Sequence, residues 1–134
     1  MTESSKKPRL LIVEDDKENQ KFLYLFLRKI YDLDFCDSDE SFYNILKEKE
    51  FDIILMDITL MGSKDGLELT RELRSNPSYS DLPIVGLSAH AFERDKNAAY
   101  EAGVDIFITK PVQGQILLDS LSSSLEKRTG QKFF

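Results

Sequence analysis

The sequence predicts an α/β domain: a five-stranded parallel sheet, doubly wound, with helices on both faces. Two observations predict it. Short apolar runs alternate with longer stretches whose apolar residues recur at helical spacing, and right-handed crossovers between parallel strands then cover both faces of the sheet. The runs Leu10-Leu11-Ile12-Val13 and Ile53-Ile54-Leu55-Met56 are apolar at every position, as strands buried on both faces must be.

The elements follow in order. Arg9 to Val13 reads as a strand that stops at Glu14-Asp15-Asp16, with Asp16 as cap of a helix whose inward face is Phe22, Leu23, Phe26, Leu27 and Ile30. Leu33 to Cys36 is a short second strand. Ser38 or Asp39 caps a helix that turns Phe42, Ile45 and Leu46 inward and leaves Lys47, Glu48 and Lys49 in water. Asp52 to Met56 is the third strand and runs directly into Asp57. Gly62 and Asp65-Gly66 mark a loop, and Leu69 and Leu73 line a helix that ends before Pro77. Pro83 to Leu87, closing on Ser88, is the fourth strand. Ala91, Ala98, Ala99 and Ala102 suggest a small-residue helix stopped by Gly103. Val104 to Ile108 is the fifth strand, ending in Thr109-Lys110-Pro111, and Leu118, Leu121 and Leu125 line the last helix.

A length of 134 residues suits one domain, and 41% hydrophobic with 31% charged residues suits a buried core that folds alone under a solvated surface. The expected division is a loose lead at 1–8, a domain at 9–128 and a tail at 129–134. A net charge of -6 disfavours direct contact with nucleic acid, and no apolar run is long enough to enter a membrane as a span or to form a signal peptide. A cytoplasmic location follows as the expectation. The single cysteine, Cys36, reads as a small buried hydrophobe with no chemistry of its own.

In an open parallel sheet, ligands bind beyond the carboxyl ends of the strands. Glu14, Asp15, Asp57, Ser88 and Lys110 all stand at such ends, on four strands. Carboxylates converging there repel one another unless a cation sits among them, and oxygen donors suit Mg²⁺. Asp57 can act as ligand and as nucleophile, because carboxylates form acyl phosphates. Lys110 offers a point charge, and Ser88 a hydroxyl, to phosphoryl oxygens.

These residues resemble the receiver domains of two-component response regulators. The resemblance spans Arg9 to Leu125 and rests on Val13-Glu14-Asp15-Asp16, Leu55-Met56-Asp57, Leu87-Ser88-Ala89 and Thr109-Lys110-Pro111. It implies a flavodoxin-like sheet of order 2-1-3-4-5, Asp57 as phosphoacceptor, and a Mg²⁺ site of Glu14, Asp15, Asp57 and the Thr59 backbone carbonyl. It also implies Ser88 and Lys110 as phosphoryl sensors, and a cis peptide between Lys110 and Pro111. Phe107 stands where the family carries a switching aromatic, although its position fits plain core equally. The implied donor is a phosphohistidine on a histidine kinase, hybrid kinases included, or on a histidine phosphotransfer protein. The implied output is a protein target met by the fourth helix, fifth strand and fifth helix. Such a chain is a signalling phosphoacceptor that catalyses its own phosphorylation and dephosphorylation, not an enzyme acting on a separate substrate.

The loop from Ile58 to Gly66 looks one residue longer than the family's common form and lacks its proline. The segments Glu18-Asn19-Gln20 and Ser88-Ala89-His90-Ala91 lean toward receivers of hybrid kinases. His90 follows a strand and reads as an exposed loop residue, and the terminal Phe133-Phe134 as a fraying end. With no effector domain after Leu125, a stand-alone receiver that acts by docking is the expectation, the alternatives being a relay intermediate, a phosphate sink or a piece of a longer hybrid kinase. Two other classes compete. A haloacid-dehalogenase-type phosphatase needs an acid two residues after the nucleophile, where this chain has Thr59, and a cap insertion it lacks. A docking module that has lost phosphorylation fits poorly with an intact Asp57, Ser88 and Lys110.

Overall fold

A computed structural model describes residues 7–59 and 65–129. Five strands and five helices alternate: β1 (Arg9–Val13), α1 (Lys17–Leu27), β2 (Asp32–Cys36), α2 (Asp39–Glu48), β3 (Ile53–Asp57), α3 (Gly66–Ser75), β4 (Ile84–Ser88), α4 (Glu93–Ala102), β5 (Ile106–Thr109) and α5 (Gly114–Thr129). All strand pairs are parallel and the order is β2-β1-β3-β4-β5. The chain moves outward to β2 after β1 and to the other side after β3. The order therefore reverses between these two strands, and the crevice beyond their carboxyl ends is open to a ligand.

Period-two alternation within each strand builds two cores. Leu11 and Val13 join Ile54, Met56, Phe42, Leu69, Leu73 and Ala99 on the face covered by α2, α3 and α4. Leu10 and Ile12 join Ile53, Leu55, Leu23, Leu27, Leu117, Leu121 and Leu125 on the face covered by α1 and α5. Every residue of β3 is buried, Asp57 included. Removing one of these large side chains, Leu55→Ala for example, would cost about 2–5 kcal/mol.

Several expected details differ. Phe22 is 47% exposed, with its ring stacked on Phe26 at 5.6 Å, so the buried stripe of α1 is Leu23 and Leu27 alone. In α5 Leu117 is buried with the expected Leu121 and Leu125, while Leu118 is only partly covered. Ala91 lies outside α4, exposed in the loop before it, and β5 starts at Ile106 because Val104 and Asp105 belong to the preceding turn. Asp16 occupies the N-cap of α1 but its side chain caps nothing. Ser38, by contrast, forms a reciprocal capping box with Ser41 at α2. Gly62 and the centre of the loop after Asp57, with Phe133 and Phe134, lie outside the described residues.

Candidate phosphoacceptor and metal site

β1 and β3 are neighbours paired from Leu10↔Ile53 to Val13↔Met56, so the residues just past their ends share one rim. There Glu14, Asp15 and Asp57 each bring a carboxylate oxygen within 4.8 Å of the others; Glu14 and Asp57 are buried and Asp15 is half-buried. Lys110 reaches in from the end of β5, held in place by its backbone N–H donating to the Ser88 carbonyl at 2.8 Å. Its ammonium lies 3.0 Å from Asp57 Oδ2 and 3.5 Å from Glu14 Oε1. The peptide between Lys110 and Pro111 is cis.

The two oxygens of Asp57 have different surroundings. Oδ2 takes the lysine, while Oδ1 accepts from the Thr59 N–H at 3.0 Å and the Thr59 hydroxyl at 2.8 Å. Sequence reasoning used only the carbonyl of Thr59 and missed this hydroxyl; a threonine two residues past a strand-end acid is the one signal that could have suggested it. Gly66 was also undervalued. It packs so tightly under the strand end that a Cβ there would collide with the Asp57 carbonyl and the Ile58 backbone.

Electrostatics follow from burial and crowding. Burial, reinforced by Asp57, pushes the Glu14 carboxyl from 4.5 up to about 7. Burial pushes Asp57 the same way, but its hydrogen bonds with Glu14, Lys110 and Thr59 outweigh it and hold the carboxyl below the usual range. Lys110 is likewise disfavoured by burial, yet its hydrogen bond and attraction to Asp57 raise it above 10.5. One ammonium thus pairs with two carboxyl groups of a cluster of three. The donor set, all hard oxygen with charge left uncompensated, fits a small divalent cation such as Mg²⁺.

Ser88 is buried at the end of β4, but its hydroxyl is engaged in its own loop: it donates to the His90 carbonyl at 3.2 Å and accepts from the His90 N–H at 3.0 Å. Phe107 on β5 is partly exposed and packs against the α2–α4 core. His90 is exposed, as expected of a loop residue. Cys36 is 5% exposed, and burial pushes its thiol up to about 12, which suits an inert core residue. A cleft of 470 Å³ opens beside Glu14 and Lys110, walled by Asn19, Phe22, Leu23, Leu87, Pro111 and Val112.

The family model of the response regulator receiver domain matches residues 10–122. The chain belongs to the response regulator receiver family. Receiver domains are the phosphoacceptors of two-component signalling, and Mg²⁺ binding is typical of them. Among curated proteins, hybrid signal transduction histidine kinase I of Dictyostelium discoideum is 34% identical over 89% of this chain and 7% of its own length. Sensor protein GacS of Pseudomonas syringae is 31% identical over 81% of this chain and 12% of its own. This receiver therefore spans about a tenth of the length of the curated relatives it matches. Among solved structures, the signal receiver domain of a signal transduction histidine kinase from Syntrophus aciditrophicus is similar, with TM-score 0.84 and 27% identity over 93% of this chain and 95% of that one. The receiver domain of a Pseudomonas aeruginosa sensor histidine kinase, with magnesium coordinated in its active-site cleft, has TM-score 0.78 and 27% identity over 93% and 99%. No helix among the described residues is long and apolar enough to cross a membrane.

Proposed function

We propose that this receiver accepts a phosphoryl group on Asp57 in a Mg²⁺-dependent reaction, from a phosphohistidine of a histidine kinase or histidine phosphotransfer protein. The observation that carries the reading is the Lys110 ammonium at 3.0 Å from Asp57 Oδ2, on a rim where Glu14 and Asp15 bring two further carboxylates. An Asp57 oxygen forms a bond to phosphorus while the phosphorus–nitrogen bond of the donor breaks. The electron pair leaves with the imidazole nitrogen, so the products are an acyl phosphate and a free histidine. Lys110 follows the charge onto a phosphoryl oxygen, and Ser88 donates its proton to another. Mg²⁺ held by Glu14, Asp15, Asp57 and the Thr59 carbonyl supplies charge that offsets repulsion between these carboxylates and the incoming group. Water attack on phosphorus later breaks the acyl bond and restores the carboxylate, so the chain catalyses both its phosphorylation and its dephosphorylation.

The signal is read by a protein target on the surface of α4, β5 and α5, where Ser88 and Phe107 bias two arrangements of one fold. The domain extends over 9–128, works in the cytoplasm by docking to a protein target, and neither binds nucleic acid directly nor inserts into a membrane. The hybrid histidine kinase among its relatives supports a hybrid kinase as phosphodonor. Intact-protein mass after treatment with acetyl phosphate tests the reaction. One added phosphoryl group that requires Mg²⁺ and is absent in Asp57→Asn is the expected result; no addition to a folded, Mg²⁺-binding protein would overturn it.

A further inference from the structure

Helix α4 is fastened unevenly. Its buried residues are only Ala99 and Ala102, whose small side chains remove little apolar surface from water. Its first turn has no side-chain cap, and the N-cap residue Phe92 is 67% exposed. Its far end is held firmly, because Arg74 Nε donates to the Gly103 carbonyl at 2.9 Å and Gly103 closes the helix at φ 121°. Between these ends, Tyr100 reaches β5 and accepts the Phe107 N–H on its hydroxyl at 3.2 Å. β5 is the edge of the sheet, so the amides on its outer side need a partner from elsewhere.

The lead-in to α4 is tied by Ser88, whose single hydroxyl proton goes to the His90 carbonyl. A phosphoryl group on Asp57 needs that same proton. Donating to it breaks the His90 bond and frees the weakly held start of α4, while Arg74 keeps the other end as a pivot. The bond in the path of that motion is the one from Phe107 to Tyr100.

We propose that Tyr100 is a latch: its hydroxyl holds α4 against the Phe107 amide while Ser88 is bonded to His90, and phosphorylation releases it. The proposal rests on the phosphoacceptor reading of Asp57 and adds a residue that stabilises the unphosphorylated arrangement. The latch stores stability in one state only, so deleting it shifts the population toward the other.

The test compares wild type with Tyr100→Phe, which keeps the ring and removes the hydroxyl. Beryllofluoride with Mg²⁺ is titrated as the phosphoryl mimic, and amide exchange of Phe107 is followed by NMR. The expected result is about fivefold tighter beryllofluoride binding by Tyr100→Phe, the worth of one neutral hydrogen bond. In wild type the Phe107 amide should be protected without the mimic and exchange faster with it. Equal affinities in the two proteins, or a Phe107 amide equally protected with and without the mimic, would overturn the latch and leave the phosphoacceptor reading standing. A folded wild type that binds no beryllofluoride would overturn both.

Discussion

The two ends of the sheet each centre on a half-buried cation, and they treat it in opposite ways. At the amino end, Arg74 donates to the carbonyls of Gly103, Tyr79, Ser80 and Leu82 and pairs with Asp105 at 3.0 Å. The same Asp105 oxygen accepts the Ile84 N–H at 2.8 Å. One positive group meets one negative group, and the remaining donors meet backbone. At the carboxyl end, Lys110 meets two buried carboxylates, Asp57 and Glu14, and a third, Asp15, lies within 4.8 Å of them. The lesson is that a satisfied network fixes loops in place, whereas buried charge in excess stores a demand that a cation and a phosphoryl group can meet.

The contrast can be broken at either end. Lys110→Met should slow phosphorylation by acetyl phosphate about 100-fold, since it removes the charge aimed at the transferring group; initial rates by mass spectrometry read this, and near-normal rates would show that Lys110 is merely structural. Arg74→Met should do the reverse, costing about 2–3 kcal/mol of stability by stranding several carbonyls and Asp105, with normal phosphorylation per folded molecule. The urea midpoint reads the loss, and an unchanged midpoint would mean that water replaces the guanidinium at no cost.

A smaller effect concerns pH. Because the folded protein keeps a proton on Glu14 up to about 7, whereas the unfolded chain releases it near 4.5, the folded state binds more protons across that window. With EDTA present, stability should therefore fall by about 1–3 kcal/mol as pH rises from 5 to 8. The Asp57 shift is downward and acts below this window. Urea titrations should show the slope, and Glu14→Gln should abolish it; a slope that survives the substitution would place its source elsewhere. Smallest is the pair of caps. Ser38→Ala should cost about 1 kcal/mol, and Asp16→Ala only a few tenths, since only Ser38 bonds its helix.

The caps also mark what was legible in the sequence. Residue type and position announced Ser38 and Asp16 alike, but only geometry reveals that Asp16 turns away and lets its backbone N–H donate to Glu14 Oε2 at 3.1 Å. The strands were readable because burial on both faces forces continuous apolar runs, which leaves Glu14, Asp57, Ser88 and Lys110 conspicuous at their ends. Helix faces were less so. Phe22 and Leu118 fit the helical spacing as well as Leu23 and Leu117 do, and only neighbouring elements decide which is covered. Arg74 gave no signal, since its partners are mostly backbone carbonyls that any sequence supplies. The Thr59 hydroxyl and the fit of Gly66 under Asp57 are contacts across a few ångströms that no periodicity encodes.

Because every crossover returns the chain to the same edge, β1 begins and α5 ends on the side away from the acidic rim. Ser124 and Lys127 near the close of α5 border Pro83 and Asp105, just ahead of β4 and β5. Both exits therefore leave from the back of the molecule, so the domain is portable. Further polypeptide spliced to either end would leave the acidic rim clear, and the same chemistry could be transplanted into proteins of very different length.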